Sequence, residues 1–242
     1  KYKDLVDAEL QALLDVGAVA ELPLDRLPMA CVGLHVGDNN FKKLHLVFDA
    51  RYINHCDGSR VIVLKGIESI KHFIRKGELM VKTDVCSGYP HLPLRSKNLI
   101  YMCFHWRGRV FHWACMPFRV RSALHWFVAM TRPVVTAITK KVAVPFLLWI
   151  DYLHALMGVE EAAAREKFKK IKEIWLHFGF VLAVKKLEGP AMRVESLGCM
   201  VDSQSMTVHL ADRRVAKIRA RAVVITAGGQ VSTRMVVAFA GE

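Results

Sequence analysis

The chain has 242 residues, of which 53% are hydrophobic, and its formal net charge is +13 at pH 7. This length can bury a sizeable core as one large domain or two small ones. No stretch reaches the roughly 18 consecutive apolar residues that span a bilayer, and the charged, amphipathic N-terminal segment is unlike a signal peptide, so we expect no membrane partner. The positive charge favours polyanionic partners, nucleic acid first, with a basic surface kept for solubility as the alternative.

The six cysteines stand singly along the chain, without a C-x-x-C pair. Free thiols are typical of reducing compartments, whereas disulfide-stapled domains carry cysteines in paired patterns. The sequence therefore predicts free thiols and an intracellular location, with the nucleus and an organelle both open. It also contains no internal repeat and no low-complexity segment, which indicates a compact chain throughout.

The first third of the chain predicts two helices with a strand between them. Residues 4–16 place leucines at helical spacing and stop before Gly17, which predicts the first helix. Residues 44–48 form an apolar run with basic residues around it, as in a strand. Residues 66–77 predict a short second helix that ends at Gly77.

The segment around Arg107 and Gly108 contains the strongest hairpin signal, because apolar and polar residues alternate on both sides of this pair. With a two-residue turn there, Cys103 would face His112, and His105 would lie on the same side. Three side chains of the types that bind zinc would then share one face. A fourth ligand is not evident, so packing is the default interpretation and zinc the alternative.

The rest of the chain adds two helices and a second hairpin. Residues 121–141 predict a helix with Ser122 as a possible cap and a kink at Pro133. Residues 160–178 predict an amphipathic helix that ends before Gly179, with Phe178 on its apolar face. Residues 195–210 predict another hairpin. Helices and hairpins in this mixed order favour an α+β fold over a repeated βαβ arrangement.

Two apolar segments each end on a single acidic residue. Residues 79–84 end on Asp84, and residues 146–151 end on Asp151. If the two strands are neighbours in one sheet, their carboxylates lie within a few ångströms of each other and can hold divalent ions for in-line phosphoryl transfer. Two solvated aspartates in unrelated turns are the alternative.

Six segments, in order and with sensible spacing, resemble the motifs of a reverse transcriptase, and the likeness is greatest to polymerases of DIRS- and Ngaro-type retroelements. They are "KKLHLVFDARYIN", "VKTDVCSGYPHLPL", "FHWACMPFRVRSALHWF", "LLWIDYLHAL", "HFGFVLAVKKLEGP" and "ESLGCMVD". The resemblance implies an α+β fold of fingers and palm, with an antiparallel palm sheet packed on helices. It implies an N-terminal helix and fingers at 1–80, a palm with an inserted fingers hairpin at 81–190, and a primer-grip-like hairpin with the start of a thumb or connection at 191–242.

Carried over residue by residue, the resemblance implies a polymerase site. Asp84 and Asp151 would be the catalytic ligands of Mg²⁺, and the carbonyl group of Val85 would assist them. Tyr89 would screen the sugar 2′ position of an incoming nucleotide. Lys186 would act as the general acid for the leaving pyrophosphate.

The sequence departs from the family pattern at four positions, one of which is Leu124 in place of a proline. Tyr152 stands where the second aspartate of the catalytic turn belongs, and a neutral phenol is a poor ligand for Mg²⁺. His45, at the nucleotide site, replaces an arginine and cannot form a bidentate fork on the triphosphate. Arg119, beside the nucleotide-site residue Phe118, replaces a glycine that permits close backbone approach. Together these changes predict a polymerase that no longer polymerises and needs no cofactor; if it is active, it needs Mg²⁺.

RNA binding does not need that chemistry. The resemblance places cations along template and primer at Arg107, Arg109, Arg119, Arg121 and Lys185. Trp106, Trp113 and Trp126 interleave with such residues, either as stacking platforms or as core. We therefore expect a retroelement-derived subunit that binds rRNA or another structured RNA, or acts as a scaffold, within a ribonucleoprotein assembly of several proteins. An active polymerase on a template–primer and a protein-interaction module remain as alternatives.

Overall fold

The computed structural model describes residues 3–23, 25–38, 44–58 and 62–227. Two compact units are interleaved along the chain. Unit 1 consists of Lys1–Leu64, Val85–Lys140 and Ile174–Val181, and unit 2 of Lys65–Asp84, Lys141–Glu173 and Leu182–Glu242. Within the described ranges, none of the helices combines the length and the apolar character that crossing a membrane requires.

The described residues form helices and strands in mixed order. The helices are α1 (Lys3–Asp15), α2 (Arg51–Cys56), α3 (Ala123–Lys141), α4 (Glu161–His177) and α5 (Asp212–Thr226). The strands are β1 (Val19–Glu21), β2 (Cys31–Val32), β3 (Leu34–Asp38), β4 (Leu44–Phe48), β5 (Leu79–Asp84), β6 (Cys103–Trp106), β7 (Arg109–Trp113), β8 (Phe146–Trp149), β9 (Tyr152–Gly158), β10 (Glu188–Ala191), β11 (Arg193–Ser196), β12 (Cys199–Asp202) and β13 (Thr207–Leu210). Most neighbouring strands pair antiparallel, so the α+β class predicted from the sequence is confirmed.

Unit 1 contains a four-stranded sheet in the order β1-β7-β6-β2. β6 and β7 form the predicted hairpin, and their register leaves Arg107 and Gly108 as a two-residue turn. Both residues have positive φ, 48° and 76°, the conformation that matches the right-handed twist of hairpin strands. Phe104 and Phe111 stack inside the unit with their ring centroids 5.7 Å apart. β3 and β4 form a separate antiparallel pair.

Helix α3 follows the hairpin and is also part of unit 1. Its buried residues Phe127, Thr131, Val134 and Ile138 recur at three- and four-residue spacing, which places them on one face. Pro133 lies inside the helix and does not end it. The helix predicted over this segment is confirmed.

Unit 2 contains the four-stranded sheet β10-β5-β9-β8, in which every neighbouring pair is antiparallel. The two central strands are β5 and β9, and their apolar residues are buried because they are covered on both faces. A second sheet, β11-β12-β13, adds Val194 and Val201 to a buried cluster with Met80 and Leu156. The predicted short helix before β5 is a 3₁₀ turn at Ile67–His72.

The amphipathic helix α4 has the predicted buried residues, with one exception. Ala164, Phe168 and Ile171 are buried, as their helical spacing indicates. Phe178, which the sequence placed on the same face, is 41% exposed. The reason is that the helix ends at His177, before Phe178. Gly179 follows with φ of +81°, a left-handed conformation typical of helix C-termini.

Candidate functional site

The β8–β9 hairpin delivers one carboxylate to a tight turn. Trp149 pairs with Tyr152, which leaves Ile150 and Asp151 as the two turn residues. Ile150 has φ of +57°. A β-branched residue rarely adopts this conformation, and such strain persists only where the surrounding structure enforces it. The turn therefore holds Asp151 in a position that the local sequence alone would not choose.

Asp84 lies at the same end of the same sheet as Asp151. It is the last residue of β5 and pairs across the strands with Tyr152, the neighbour of Asp151. Both carboxylates line one cleft of about 600 Å³ in unit 2. The acid-tipped strands β5 and β8 therefore lie in one antiparallel sheet, as expected, but β9 separates them, so they are not direct neighbours. Their acidic ends still meet because Asp151 immediately precedes β9, the strand that pairs with β5.

The two carboxylates have different electrostatic surroundings. Asp84 Oδ1 accepts a hydrogen bond from Lys186 Nζ at 2.9 Å, and the Asp84 side chain is 15% exposed. Burial raises the pKa of Asp151 above its ordinary value of 3.8, the charge of Asp84 raises it further, and its own backbone N–H and Lys186 partly oppose the shift. Asp84 is thus paired with Lys186, whose side chain is 63% exposed, while Asp151 gives up its proton less readily.

Tyr152 contributes a neutral group to this cleft. Its side chain is 8% exposed, and its hydroxyl donates to the carbonyl oxygen of Glu195 at 3.4 Å. Burial raises the pKa of the Tyr152 phenol well above its ordinary value, and nearby carboxylates, including Glu188, raise it further. The hydroxyl therefore keeps its proton at neutral pH and offers no anionic oxygen to a metal ion.

The donor set does not fit a pair of magnesium ions. Mg²⁺ is held by anionic oxygens in near-octahedral geometry, and two ions in one site need carboxylates that bridge or flank them. Here Asp84 is already paired with Lys186, Asp151 has a raised pKa and Tyr152 is neutral. Among the described residues, no group of three or more His, Cys, Asp or Glu side chains is arranged to hold a metal ion.

A network of ion pairs that the sequence did not reveal lies along the same cleft. Lys82 Nζ is 2.5 Å from Glu188 Oε2 and donates to the Glu195 carbonyl at 3.0 Å. The Glu195 carboxylate forms an ion pair with Arg213, which lowers the pKa of Glu195. One local indication of this network was present in the sequence. Lys82 lies two residues before Asp84 and therefore on the same face of β5.

His154 is a second residue that the sequence analysis missed. It lies opposite Lys82 in the β5–β9 pairing and is 0% exposed. Burial, with a smaller contribution from the charge of Lys82, lowers its pKa from 6.5 to about 4. Both ring nitrogens lack a hydrogen-bond partner in the described part of the chain. A neutral imidazole is therefore buried beside the cleft.

Two further segments complete the cleft wall. Lys185 and Lys186 lie on the 3₁₀ turn Val184–Lys186. Ala183, the residue before this turn, donates its backbone N–H to the carbonyl oxygen of Asp84 at 2.8 Å, which fixes the turn against β5. Leu197 and Gly198 form the two-residue turn between β11 and β12 and also line the cleft. The residues that the resemblance assigned to metal binding, proton transfer and primer grip thus meet in one place.

The predicted nucleotide-site residues lie in unit 1. Val85 is buried. Tyr89 packs edge-to-face on Phe118 at 5.3 Å and on Phe127 at 5.8 Å, and Phe118 is 57% exposed. The backbone of His45 pairs with Gly37 in the β3–β4 ladder, while the His45 side chain lies outside the described part of the structure.

Arg119 has a positive φ of 76°, a conformation that glycine adopts more easily. Asn54 supports this loop from α2: its Nδ2 donates to the Arg119 carbonyl at 2.7 Å, and its Oδ1 accepts from the Arg121 N–H at 2.6 Å. Both arginine side chains are exposed. The loop backbone is therefore fixed while its two cations face solvent. Asn54, which directly follows "FDARYI", is the residue that supports the loop, and the sequence analysis assigned it no role.

The two arginines of the β6–β7 hairpin already form ion pairs within the chain. Arg107 forms an ion pair with Asp7, with Nη2 to Oδ2 at 2.5 Å, and Arg109 forms one with Glu21. These contacts lower the pKa of both acids. Phosphate contacts by Arg107 and Arg109 stay a prediction, and each would have to compete with an existing bond.

The zinc alternative gains no support from the hairpin. Cys103 pairs with His112 as predicted, and Cys31 pairs with Cys103 across the parallel β2–β6 contact. Cys31 Sγ lies 3.9 Å from His105 Nδ1. These side chains do not form a metal-binding group among the described residues, and all six cysteines are free.

Comparisons with known proteins place this geometry in a fold. No protein-family model matches the chain, and no curated protein matches it by sequence. Among solved structures, a foamy viral protease-reverse transcriptase in complex with an RNA/DNA hybrid aligns with TM-score 0.79 and 15% identity, over 99% of this chain and 30% of that one. The fold is reverse-transcriptase-like.

Two further solved structures agree. The foamy viral protease-reverse transcriptase in complex with dsDNA aligns with TM-score 0.76 and 16% identity, over 98% of this chain and 46% of that chain. The native Prototype Foamy Virus protease-reverse transcriptase aligns with TM-score 0.65 and 15% identity, over 94% and 31%. This chain therefore spans less than half the length of these reverse-transcriptase structures, and the likeness concerns the fold.

Proposed function

We propose that this chain is a reverse-transcriptase-like domain that has lost polymerase chemistry and serves as an RNA-binding or scaffolding subunit of a ribonucleoprotein assembly. Its source would be a retroelement polymerase of the DIRS or Ngaro type. The observation that carries the proposal is Tyr152, a buried neutral phenol at the position where the resembling polymerases have a second carboxylate.

The charge distribution in the cleft supports the loss of chemistry. Losing one metal ligand removes roughly 3 kcal/mol or more of transition-state stabilisation, on the order of a hundredfold in rate. Lys186 adds to this effect, because its bond to Asp84 neutralises one of the two remaining carboxylates. An ammonium group there stabilises the cleft without a metal ion.

RNA binding is supported by the exposed cations. The chain carries 35 Lys and Arg residues against 22 Asp and Glu, and Arg119, Arg121 and Lys185 present exposed side chains. A backbone held by Asn54 makes the Arg119–Arg121 loop a rigid platform for phosphate groups, so less side-chain and loop entropy is lost on binding. Two of the similar solved structures are complexes with nucleic acid by their descriptions.

One observation favours an active polymerase as the second candidate. Asp84, Asp151 and Lys186 gather in one cleft, as a nucleotidyl transfer site would require. For this candidate to hold, Lys186 must leave Asp84 when Mg²⁺ and a nucleotide arrive.

A primer-extension assay separates the two candidates. We expect no template-dependent incorporation on an RNA template with either Mg²⁺ or Mn²⁺. Incorporation that disappears in Asp84→Ala would establish the active enzyme and refute our proposal. The dependence on Asp84 is the necessary control, because it excludes a contaminating polymerase.

A salt titration tests RNA binding. If cations neutralise phosphates, log K falls linearly with log salt by about 0.7 per contact for a single strand. Replacing Arg119 and Arg121 together with alanine should flatten this slope by roughly one to two units. The matched control replaces Lys169 and Lys170, two exposed cations of α4 that already face Glu173 and Glu166, and should change the slope less. An affinity no better than that of an unrelated basic protein would instead favour a protein-interaction module.

A further inference from the structure

Unit 1 contains a second cavity, of about 740 Å³, that the polymerase assignment does not use. Its lining is mostly apolar and includes Leu92, Met116, Trp126 and Met130, with Arg95 and Lys97 among its polar groups. A volume of this size and an apolar lining with a few polar groups are typical of ligand sites.

The cavity is preformed by backbone contacts. Leu94 N donates to Ala114 O at 2.9 Å, and Met116 N donates to Leu92 O at 2.9 Å, so two segments pair beneath it. The opposite wall is one face of α3, where Trp126 and Met130 are four residues apart and therefore lie one above the other. Neither wall depends on a ligand for its position.

Trp126 differs in exposure from the other two tryptophans that were candidates for stacking, although its ring also contacts His125 edge-to-face with centroids 5.3 Å apart. Trp113 is 8% exposed, and Trp106 donates its Nε1–H to Asp7 Oδ1 at 2.7 Å. Trp126 is 46% exposed and lines the cavity. A large aromatic surface left in water at a cavity wall is a feature of binding sites.

The charge at this cavity is positive. Arg95 and Lys97 are exposed, and neither forms an ion pair within the described part of the chain. No acidic side chain lines the cavity among the described residues. The ligand that matches this combination has a flat apolar part for Trp126 and an anionic part for Arg95 and Lys97.

We propose that this cavity binds one unpaired nucleotide of an RNA strand, with its base stacked on Trp126 and its phosphate held by Arg95 and Lys97. Bases of any identity stack on aromatic side chains, and guanidinium and ammonium groups bind phosphate. The site adds a contact to the proposed RNA binding, uses none of the Arg119–Arg121 loop, and does not depend on the loss of polymerase chemistry.

The test uses 5′-AMP as the probe, with adenosine and inorganic phosphate as its two halves, and measures binding by calorimetry on the full chain. AMP should bind saturably and more tightly than either half alone. Trp126→Ala should weaken AMP binding on the order of tenfold, since stacking of a base on an aromatic ring contributes a factor of this size. Trp126→Phe should retain part of the affinity because it keeps a ring.

The charge reversal R95E/K97E provides a second variant that does not alter the apolar wall. Both side chains are exposed, so the fold should persist, and circular dichroism checks this. We expect AMP binding to fall at least tenfold while adenosine binding stays within twofold. The matched reversal K169E/K170E should leave AMP binding unchanged.

Three results would overturn the proposal: no saturable AMP binding, AMP binding that Trp126→Ala leaves unchanged, or tighter binding of a short acidic peptide with an apolar anchor than of AMP. The first two would show that the cavity is not a nucleotide site, and the third that it is a protein-docking site. If AMP does not bind while the salt slope of RNA binding still depends on Arg119 and Arg121, this site fails and the proposed RNA binding stands. Failure of this site and failure of the proposed RNA binding are therefore distinguishable.

Discussion

The cleft of unit 2 and the exposed surface of unit 1 differ in how their cations are used. In the cleft, three cations each form an ion pair with a carboxylate: Lys82 with Glu188, Lys186 with Asp84, and Arg213 with Glu195. In unit 1, Arg95, Lys97 and Arg119 are exposed and form no ion pair within the described residues, although the hairpin arginines Arg107 and Arg109 are paired with acids.

This difference indicates what each region can still do. The Lys82 side chain is only 15% exposed, so its ion pair stabilises the cleft, whereas Lys186 and Arg213 are 63% and 75% exposed and their pairs contribute less. A ligand must still displace each cation before it can bind the paired carboxylate. Exposed unpaired cations lose little by binding a phosphate. The comparison therefore favours structural roles for the cleft residues that the resemblance assigns to catalysis, and binding roles for the surface of unit 1. Replacements in the cleft should change stability, and replacements on the surface should change binding.

The largest expected effect comes from Gly189, which follows Glu188 in β10. Its φ is +90°, and a Cβ at this position would lie 2.2 Å from the carbonyl oxygen of Met80. Gly189→Ala should therefore lower the free energy of unfolding by roughly 4 kcal/mol, from overpacking and left-handed strain together. Gly179→Ala is the control, because Gly179 has φ of +81° but no atom within 4 Å, and should lower it by about 1 kcal/mol. Equal effects in urea unfolding would contradict the close packing of β10 on β5.

The second effect concerns acid stability. His154 is neutral in the folded state because its pKa is lowered to about 4, whereas the unfolded chain binds the proton near pH 6.5. The contribution of neutral His154 to the free energy of unfolding is therefore fully present above pH 6.5. It falls by about 3 kcal/mol in total as the pH drops towards 4. His154→Leu should remove most of this slope in unfolding free energy measured from pH 7 to pH 4. A slope unchanged by the replacement would show that His154 is not the group responsible.

A third effect distinguishes paired from exposed cations. Lys82→Met leaves Glu188 without its partner in a region where the Lys82 side chain is 15% exposed, so we expect a loss of about 2 kcal/mol. The matched variant Lys169→Met removes an exposed pair with Glu173 and should lose no more than about 0.5 kcal/mol. Thermal unfolding of both variants measures the difference. Similar losses would mean that the cleft network contributes no more than surface pairs do.

The smallest effect is at the Arg119 loop and has the opposite sign. Arg119→Gly should raise the free energy of unfolding by up to about 1 kcal/mol, because glycine adopts φ of +76° without strain. Arg121→Gly, two residues away and without a positive φ, should lower it by about 0.5 kcal/mol. A destabilised Arg119→Gly variant would show that the arginine side chain stabilises the fold, which would weaken its assignment to RNA binding.

Local sequence patterns predicted the elements well, for identifiable reasons. The alternation around Arg107 and Gly108 predicted a hairpin because strand period and turn chemistry agree within a few residues. The apolar runs ending on Asp84 and Asp151 predicted strands of one sheet with their acidic ends together, which the sheet confirms, although β9 lies between the two strands. The end of α4 was placed one residue too late, because a spacing pattern does not mark where a helix stops.

The electrostatics of the site could not be predicted in the same way. Lys82 and Glu188 are more than 100 residues apart in sequence, and Glu21 and Arg109 are nearly 90 apart. Such pairs depend on strand register and on which face each side chain occupies, which a single sequence does not specify. The burial of Tyr152 follows from the same register. The resemblance implied that Tyr152 replaces a carboxylate, and the structure adds that its side chain is buried.

Single-nucleotide incorporation at saturating RNA concentration tests the central claim most directly. A template–primer is bound at low salt until anisotropy shows saturation, one complementary nucleotide and Mg²⁺ or Mn²⁺ are added, and extension is followed on a gel beside Asp84→Ala. We predict full occupancy and no extension in either protein. Extension by the wild-type chain that is absent in Asp84→Ala would contradict the account, because it would mean that Lys186 releases Asp84 and that Tyr152 does not prevent catalysis.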